Sequence, residues 1–449
     1  MPQRLKIKSA VRAAGRLSAV AFAASVAMSA HAQEDPSPYF IGIKQVLTHD
    51  SNVFRVNDGP SDSYSTTSLL GGFDQKISRQ RVYLNANVGR NLYRNQTELN
   101  NTSYGVNTGW DWETIEKLSG SLTAGLNRSL ASQTDSSTLP QNLNNEVTTQ
   151  HYGATARWGG DSILTLEGAY AHNKVTYSET STSDSNGDTG SIGLYYRVGA
   201  ALRLGTALRY SRSETPFGAT LADGTLGPNT ETGKYLDLLA DWRPSSQTFL
   251  NTRLSWARQT NSQIDSRNFS GLTGSIMGTY APTAKVSLNA SLSRDAGVNG
   301  TFFTLTPSTP TTPGAPAPTP VRGLSESSQT TNSLSLGANY AATSKITVTA
   351  NGHWRHAKLV DTAPVAGTTT LTTYERTDTS RLYSLGVTYA IARSWDLGCS
   401  YSHSTRDLDA SAIAAGISYT ANVASCSRSR RPRQRASRLR ATPARCAMR

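Results

Sequence analysis

The chain has 449 residues, with 44 Lys and Arg against 31 Asp and Glu and a formal net charge of +13. The excess lies at the two ends, because residues 1–32 contain five basic residues and residues 427–449 contain nine Arg, with no acid in either segment. The body between them is nearly neutral. This excludes the broad basic surface that binds nucleic acid, and no nucleic-acid partner is expected.

Residues 1–32 have the pattern of a secretory signal peptide. Five basic residues come first, and residues 17–30 then form an apolar run that is too short to span a bilayer as a helix. Ala30-His31-Ala32 is a small-x-small cleavage sequence, so cleavage is expected near Ala32. An amphipathic N-terminal helix of a cytosolic protein is the alternative interpretation.

One pattern recurs eight times along the body of the chain. A strand-like run ends at an aromatic residue, a turn of a few residues follows, and a second strand-like run begins. With an opening strand near 39–48 and a closing strand near 411–422, residues 33–426 are predicted to form a transmembrane up-and-down antiparallel β-barrel of about 18 strands, all-β, with short periplasmic turns and long external loops. The short turns centre near residues 76, 115, 160, 199, 244, 282, 342 and 391.

Apolar and polar residues alternate within the predicted strands. Leu202, Leu204 and Leu208 share one face of one run, and Arg203 and Arg209 share the other. The runs are about 10–14 residues long, which is typical of a tilted transmembrane strand rather than of a strand in a soluble sheet. Apolar residues are therefore expected to face lipid, and polar residues an aqueous lumen.

The same alternation selects candidate pore-lining residues. A sugar-permissive channel is the functional interpretation, in which their polar groups exchange hydrogen bonds with hydroxyls and Tyr83 and Tyr235 offer flat surfaces to pyranose rings. A merely solvated wall is the alternative, and the presence of both charge signs does not imply strong ion selectivity. The candidates are Arg157, Glu167, Arg197, Arg203, Arg209, Asp237, Asp241, Arg243, Asn251, Arg253, Asn289, Asn339, Asn351 and Asp396.

Aromatic residues precede most of the short turns. Amphipathic rings favour the headgroup region of a bilayer, so these residues are expected to form a periplasmic girdle. Ordinary hairpin aromatics are the alternative. The girdle candidates are Trp110, Trp112, Trp158, Trp242, Tyr280, Tyr340 and Tyr389.

The longest predicted loop, residues 296–330, is rich in Pro. Proline lacks a backbone donor and favours extended polyproline II, so this segment is not expected to pair into the wall. We expect an external loop; a loop folded inward to narrow the pore is the alternative.

The sequence contains no convincing catalytic or cofactor motif, and neither enzymatic activity nor a cofactor is expected. His353 and His356 are three residues apart, which places them on opposite faces of a strand, so no metal site is predicted. Cys399 and Cys426 lie near the periplasmic ends of the last two predicted strands, and a disulfide between them is a candidate feature in an oxidising periplasm. Free thiols are the alternative.

Several stretches carry a resemblance to a known family. PYFIGIKQVLTHDSNVFRV at 38–56, followed by SRQRVYLNANVGRNLYRN, LNNTSYGVNTGWDWE and LSGSLTAGLNRSLAS, resembles the EpsL-type β-barrels encoded in exopolysaccharide biosynthesis operons. The resemblance extends over roughly residues 36–426. It implies an outer-membrane role in producing or exporting exopolysaccharide.

Residues 427–449 depart from this pattern. Barrels of this type resemble one another in ending on an alternating strand with a terminal aromatic, whereas this segment is Arg-rich and has no Phe, Tyr or Trp. We interpret it as frameshifted or disordered and expect no strand in it. A genuine basic tail that binds lipopolysaccharide or an acidic polymer is the alternative.

Together these features predict an outer-membrane β-barrel channel of a Gram-negative bacterium that takes part in exopolysaccharide biosynthesis or export. The alternatives are a general diffusion porin for small solutes and a plugged barrel that serves as a surface anchor. The expected partners are outer-membrane lipid, exopolysaccharide, the barrel-assembly machinery and other polysaccharide-export proteins.

Overall fold

The computed structural model describes residues 38–131, 144–160, 162–181, 184–220, 226–263, 265–296, 328–364, 371–392, 394–409 and 418–430. The predicted signal peptide lies outside the described residues, as do most of the Pro-rich segment and residues 431–449.

The described chain folds into eighteen strands and two short 3-10 turns, Thr97–Leu99 and Asp265–Arg267. The strands are β1 Tyr39–Asp50, β2 Asp62–Ile77, β3 Gln80–Tyr93, β4 Asn101–Glu113, β5 Leu118–Leu130, β6 Glu146–Trp158, β7 Leu164–Tyr177, β8 Ser185–Val198, β9 Leu202–Thr220, β10 Leu226–Ser245, β11 Thr248–Asn261, β12 Phe269–Thr283, β13 Val286–Ala296, β14 Ser328–Ala341, β15 Ile346–Pro364, β16 Leu371–Ala392, β17 Trp395–Asp409 and β18 Tyr419–Arg430.

Each strand pairs antiparallel with the next, and β1 also pairs with β18, which closes the sheet. Closure satisfies the backbone hydrogen bonds of every strand, as a lipid environment requires. The predicted fold, an 18-stranded up-and-down antiparallel barrel, is confirmed. None of the helical segments among the described residues is long and apolar enough to cross a membrane.

The closing strand lies further along the chain than predicted. We expected a closing strand near 411–422, a barrel that ends at residue 426, and no strand after it. These expectations are wrong, because β18 continues to Arg430. Trp395, the first residue of β17, pairs with Arg430, and Ile43 of β1 pairs with Arg430 from the other side. Backbone pairing needs no apolar side chain, so the start of β17 and not the hydropathy pattern sets where β18 ends.

The last two strands are joined covalently. Cys399 of β17 and Cys426 of β18 pair directly across the strands, with their Cα atoms 4.1 Å apart, and the structure places a disulfide between them. Both cysteines are exposed on the outer face, beside Leu397 and Tyr401. The bridge therefore ties β18 to β17 within a few residues of the short-turn end of the barrel.

Candidate functional site

The two faces of the wall differ sharply in chemistry. Leu204, Leu208 and Leu238 point outward and are exposed, whereas the residues between them point into the barrel. By strand register, all the predicted pore-lining residues lie on the inward face. These are Arg157, Glu167, Arg197, Arg203, Arg209, Asp237, Asp241, Arg243, Asn251, Arg253, Asn289, Asn339, Asn351 and Asp396.

The predicted girdle residues lie on the outer face next to the short turns. All are exposed apart from the half-buried Trp112. A second group of exposed outward aromatics, which was not predicted from the sequence although the same alternation contains it, lies further along the strands from the short turns. The first group is Trp110, Trp112, Trp158, Trp242, Tyr280, Tyr340 and Tyr389, and the second is Tyr152, Tyr170, Tyr210, Trp256, Tyr383 and Tyr401.

Four charged residues and one amide, all inward and near the short-turn end, form one network of ion pairs and hydrogen bonds. Arg157 donates to Glu167 through Nε and Nη2 at 2.9 and 2.8 Å. Arg203 lies between two acids, with Nη2 3.2 Å from Glu167 Oε2 and Nη1 3.4 Å from Asp241 Oδ2. Asn251 donates to the other oxygen of Asp241 at 2.6 Å. The charges in this network therefore largely neutralise one another.

Two further ion pairs follow higher on the same side of the wall. Arg209 holds Asp237 through two contacts of 2.8 and 3.1 Å, and Arg253 holds Asp295 at 3.0 Å. All four side chains are largely buried by their neighbours. The arginines that sequence analysis assigned to the lumen are thus mostly engaged with acids of the wall itself.

Inward tyrosines lie flat against inward glycines. The ring of Tyr195 covers Gly205, and the Arg203 guanidinium carbon lies 3.7 Å from the centre of that ring. Tyr235 covers Gly233 in the same way beneath Arg209, also at 3.7 Å. A Cβ at either glycine would collide with the ring, so the absence of a side chain permits the stacking.

This stacking corrects the role expected for Tyr235. Tyr235 is only 6% exposed, and Arg209 covers its ring, so the ring does not offer a flat surface to a sugar. Tyr83 likewise lies over Gly109, with the Arg81 guanidinium 5.1 Å from its ring centre. At Tyr235 a solute would therefore meet the arginine and not the aromatic face.

A strip of amides crosses three strands on the other side of the wall. Asn85 of β3 faces Asn107 of β4, while Asn87 and Asn127 flank Gly105 from β3 and β5. Within the described part of the chain, none of these four side chains hydrogen-bonds to protein. The amide strip was not predicted from the sequence, although the alternation around Tyr83 places these residues inward.

The loop between β1 and β2 is fixed at the mouth of the barrel. Phe54 and Val56 are buried with Leu99, and Tyr93 of β3 packs against this cluster. Ser51 N donates to Asn422 O of β18 at 2.9 Å, so the loop also spans the junction of the first and last strands. Residues 51–61 therefore form an ordered element at the external end.

An ion pair holds this loop in an uncommon backbone conformation. Arg55 has φ of 55°, and both its terminal nitrogens lie 2.8 Å from the carboxylate of Asp50. Burial acts to lower the pKa of Arg55, but the hydrogen bonds and charge of Asp50 outweigh it, and that pKa is raised. The guanidinium therefore stays charged, and the pair can offset the strain of the left-handed residue.

The described residues contain no group of three His, Cys, Asp or Glu side chains placed to hold a metal ion. His353 and His356 lie on opposite faces of β15. His353 contacts Ser335 on the inward face, and His356 contacts Thr379 on the outward face.

No family model and no curated protein matches the chain. Among solved structures, OccK2 (OpdF) of Pseudomonas aeruginosa in complex with glucuronate is 12% identical, with a TM-score of 0.43 over 89% of this chain and 100% of that one. A ferric enterobactin receptor (PfeA) mutant of P. aeruginosa is 9% identical, with a TM-score of 0.45 over 89% and 81%. With TM-scores below 0.5, neither likeness carries an argument about the function or the substrate of this chain.

Proposed function

We propose that the protein is an outer-membrane channel that takes part in exopolysaccharide biosynthesis or export, with the polymer or its fragments passing through the lumen. The polymer itself is proposed from the resemblance of residues 36–426 to EpsL-type barrels. A general diffusion porin and a plugged surface anchor are the competing functions.

The amide strip is the observation that supports a solute rich in hydroxyl groups. A primary amide offers two donors and two acceptor lone pairs, and hydroxyls match both. Asn85, Asn87, Asn107 and Asn127 keep this capacity, because no described protein group uses it. The opposite wall adds paired charges, which supply polarity without a strong preference for ions of one sign.

The first test removes the amides. A variant with Asn85, Asn87, Asn107 and Asn127 all replaced by Ala should still assemble, but maltooligosaccharides should block its single-channel current more weakly than they block the wild type. In a deletion strain, the same variant should secrete less polymer and accumulate more in the periplasm. Asn332→Ala, on the outer face of β14 by register, is the matched control and should change neither quantity.

The competing functions give different results in this test. If the deletion strain without any copy of the protein secretes polymer normally, the export role is contradicted and a general porin becomes the favoured function. The complete absence of single-channel current would favour the anchor.

Removal of Arg203 should change ion selectivity. Arg203→Ala leaves Glu167 and Asp241 without their shared cation, so the channel should prefer cations more strongly, with little change in outer-membrane yield. The reversal potential in a salt gradient measures this. Arg212→Ala, on the outer face of the same strand, should leave the reversal potential unchanged. An unaltered reversal potential in Arg203→Ala would show that this network does not face the conducting path.

A further inference from the structure

Two cations face each other on the outer surface of the wall. Lys234 of β10 pairs directly with Arg258 of β11, and both side chains are exposed on the face that carries Leu236 and Trp256. Like charges in directly opposed cross-strand positions repel. Neither Lys234 nor Arg258 has an ion pair or hydrogen bond within the described part of the chain. The pair is therefore an arrangement that an external anion would stabilise.

Their height on the barrel places these cations at a headgroup level. Arg258 lies ten residues beyond Thr248, where β11 begins after a short turn. At a rise of about 3.4 Å per residue and a tilt of about 40°, this separation is about 25 Å, close to the height of the apolar band of a membrane barrel. The outward aromatics Tyr210 and Trp256 lie next to the pair. Lys234 and Arg258 thus sit at the external boundary of the bilayer.

An apolar groove adjoins the cations. It measures about 470 Å³ and is lined on the outer face by Ile192, Leu208, Tyr210 and Lys234, while Gly190 contributes no side chain. Ile192 and Leu208 are both more than half exposed. Lys234 thus lines the apolar groove, and Arg258 lies beside Lys234 on the next strand. This arrangement matches a ligand with an anionic head and a hydrocarbon tail.

Two other outward cations at a similar height, Arg128 and Arg381, have acidic partners in the wall. Arg128 pairs with Glu146 of the next strand, and Arg381 pairs with Asp407 at 2.8 Å. Arg212, beside Lys234 on β9, lies opposite Asp188. Lys234 and Arg258 differ from them because their directly opposed neighbours are each other, Tyr210 and Ser270.

We propose that Lys234 and Arg258 bind a phosphate of a lipid A-type glycolipid in the outer leaflet, with an acyl chain in the groove beside Leu208. The long loops mark this end of the wall as the external one, and the outer leaflet there presents phosphorylated glycolipid at headgroup depth. Charge-assisted hydrogen bonds from both cations to one phosphate would replace their mutual repulsion with attraction. The site uses the location and orientation of the barrel and no feature of the lumen, so it is independent of the transport role.

Native mass spectrometry of the assembled barrel, titrated with purified lipid A, tests the site. The wild type should bind one lipid A more tightly than any further copy. The double variant Lys234→Gln/Arg258→Gln should bind that copy at least tenfold more weakly. Arg381→Gln, which removes an outward cation that has its own acid, should change the affinity less than twofold. Lys234→Arg/Arg258→Lys should retain binding within about threefold, because both charges remain.

The ligand series identifies the source of the phosphate. Dephosphorylated lipid A should bind the wild type as weakly as lipid A binds the double Gln variant. If phosphatidylglycerol binds as tightly as lipid A, and this binding is lost in the double Gln variant, the assignment to lipid A is overturned. Equal lipid A affinity for wild type and the double Gln variant, with heat-modifiable migration showing that both are folded, would overturn the site itself.

Discussion

Replacing Asp378 with Asn is expected to lower the free energy of unfolding by about 3–5 kcal/mol. The Asp378 side chain is only 2% exposed and lies between two arginines of neighbouring strands. Arg406 reaches both carboxylate oxygens at 3.1 and 3.0 Å, and Arg355 Nη1 lies 3.0 Å from Oδ2. An amide keeps the shape but removes the charge that neutralises both guanidinium groups, so two like charges would stay close together in a poorly solvated site.

The matched control for Asp378→Asn lies one pairing away on the same part of the sheet. Asp407 of β17 pairs with Arg381 of β16 at 2.8 Å, but its side chain is 66% exposed. Exposed ion pairs typically contribute at most about 1 kcal/mol, so Asp407→Asn should have little effect. Urea unfolding of both variants in the same vesicles measures the difference. Similar losses for the two would show that the Asp378 cluster is solvated and that its burial does not determine stability.

The sequence predicts the strands and their faces because a bilayer imposes one rule on every strand. Lipid outside and water inside require a strict period of two over about ten residues, which is far more regular than in a soluble sheet. Arg203 and Leu204 could therefore be assigned to opposite faces from the alternation alone. The register of each hairpin then follows from its short turn, since the turn fixes which residues face each other.

Features that depend on pairing between strands could not be predicted in this way. The stack of Tyr195 on Gly205 beneath Arg203 joins two strands, and its members are recognised as neighbours only when the register of β8 and β9 is known. The amide strip likewise joins residues of three strands that are recognised as neighbours only when the register is known. The end of β18 at Arg430 depends on where β17 begins, because polar residues pair through their backbone as well as apolar ones do.

The loop at residues 51–61 shows a different limit. Its composition is polar, and the expectation for such a segment is an exposed loop. Phe54 and Val56 are nevertheless buried, because Leu99 and Tyr93 come from the next hairpin to cover them. The three apolar residues of this polar segment, Val53, Phe54 and Val56, show no strand-like or helix-like period, so only the three-dimensional contact reveals that this loop is ordered.

Introducing Arg at Leu208 should destabilise the barrel by about 2–4 kcal/mol, the cost of a charge near the bilayer midplane. Leu208 is 63% exposed on the outer face. It lies six residues beyond Leu202, where β9 begins, which at a rise of about 3.4 Å per residue and a tilt of about 40° is about 15 Å from the interface. Leu204 is the matched control because it shares the face and the strand, but it lies only two residues from the start of β9.

The cost at Leu204 should be about 0–1 kcal/mol, since the new guanidinium can reach the headgroups from there. Reversible unfolding in synthetic phosphocholine vesicles measures both variants without lipid A, so the proposed phosphate site does not contribute. Both variants keep the strand sequence otherwise intact, so the difference between them reports depth alone. If Leu204→Arg costs as much as Leu208→Arg, the short turns do not mark the membrane interface, and the height assigned to Lys234 and Arg258 would be wrong with it.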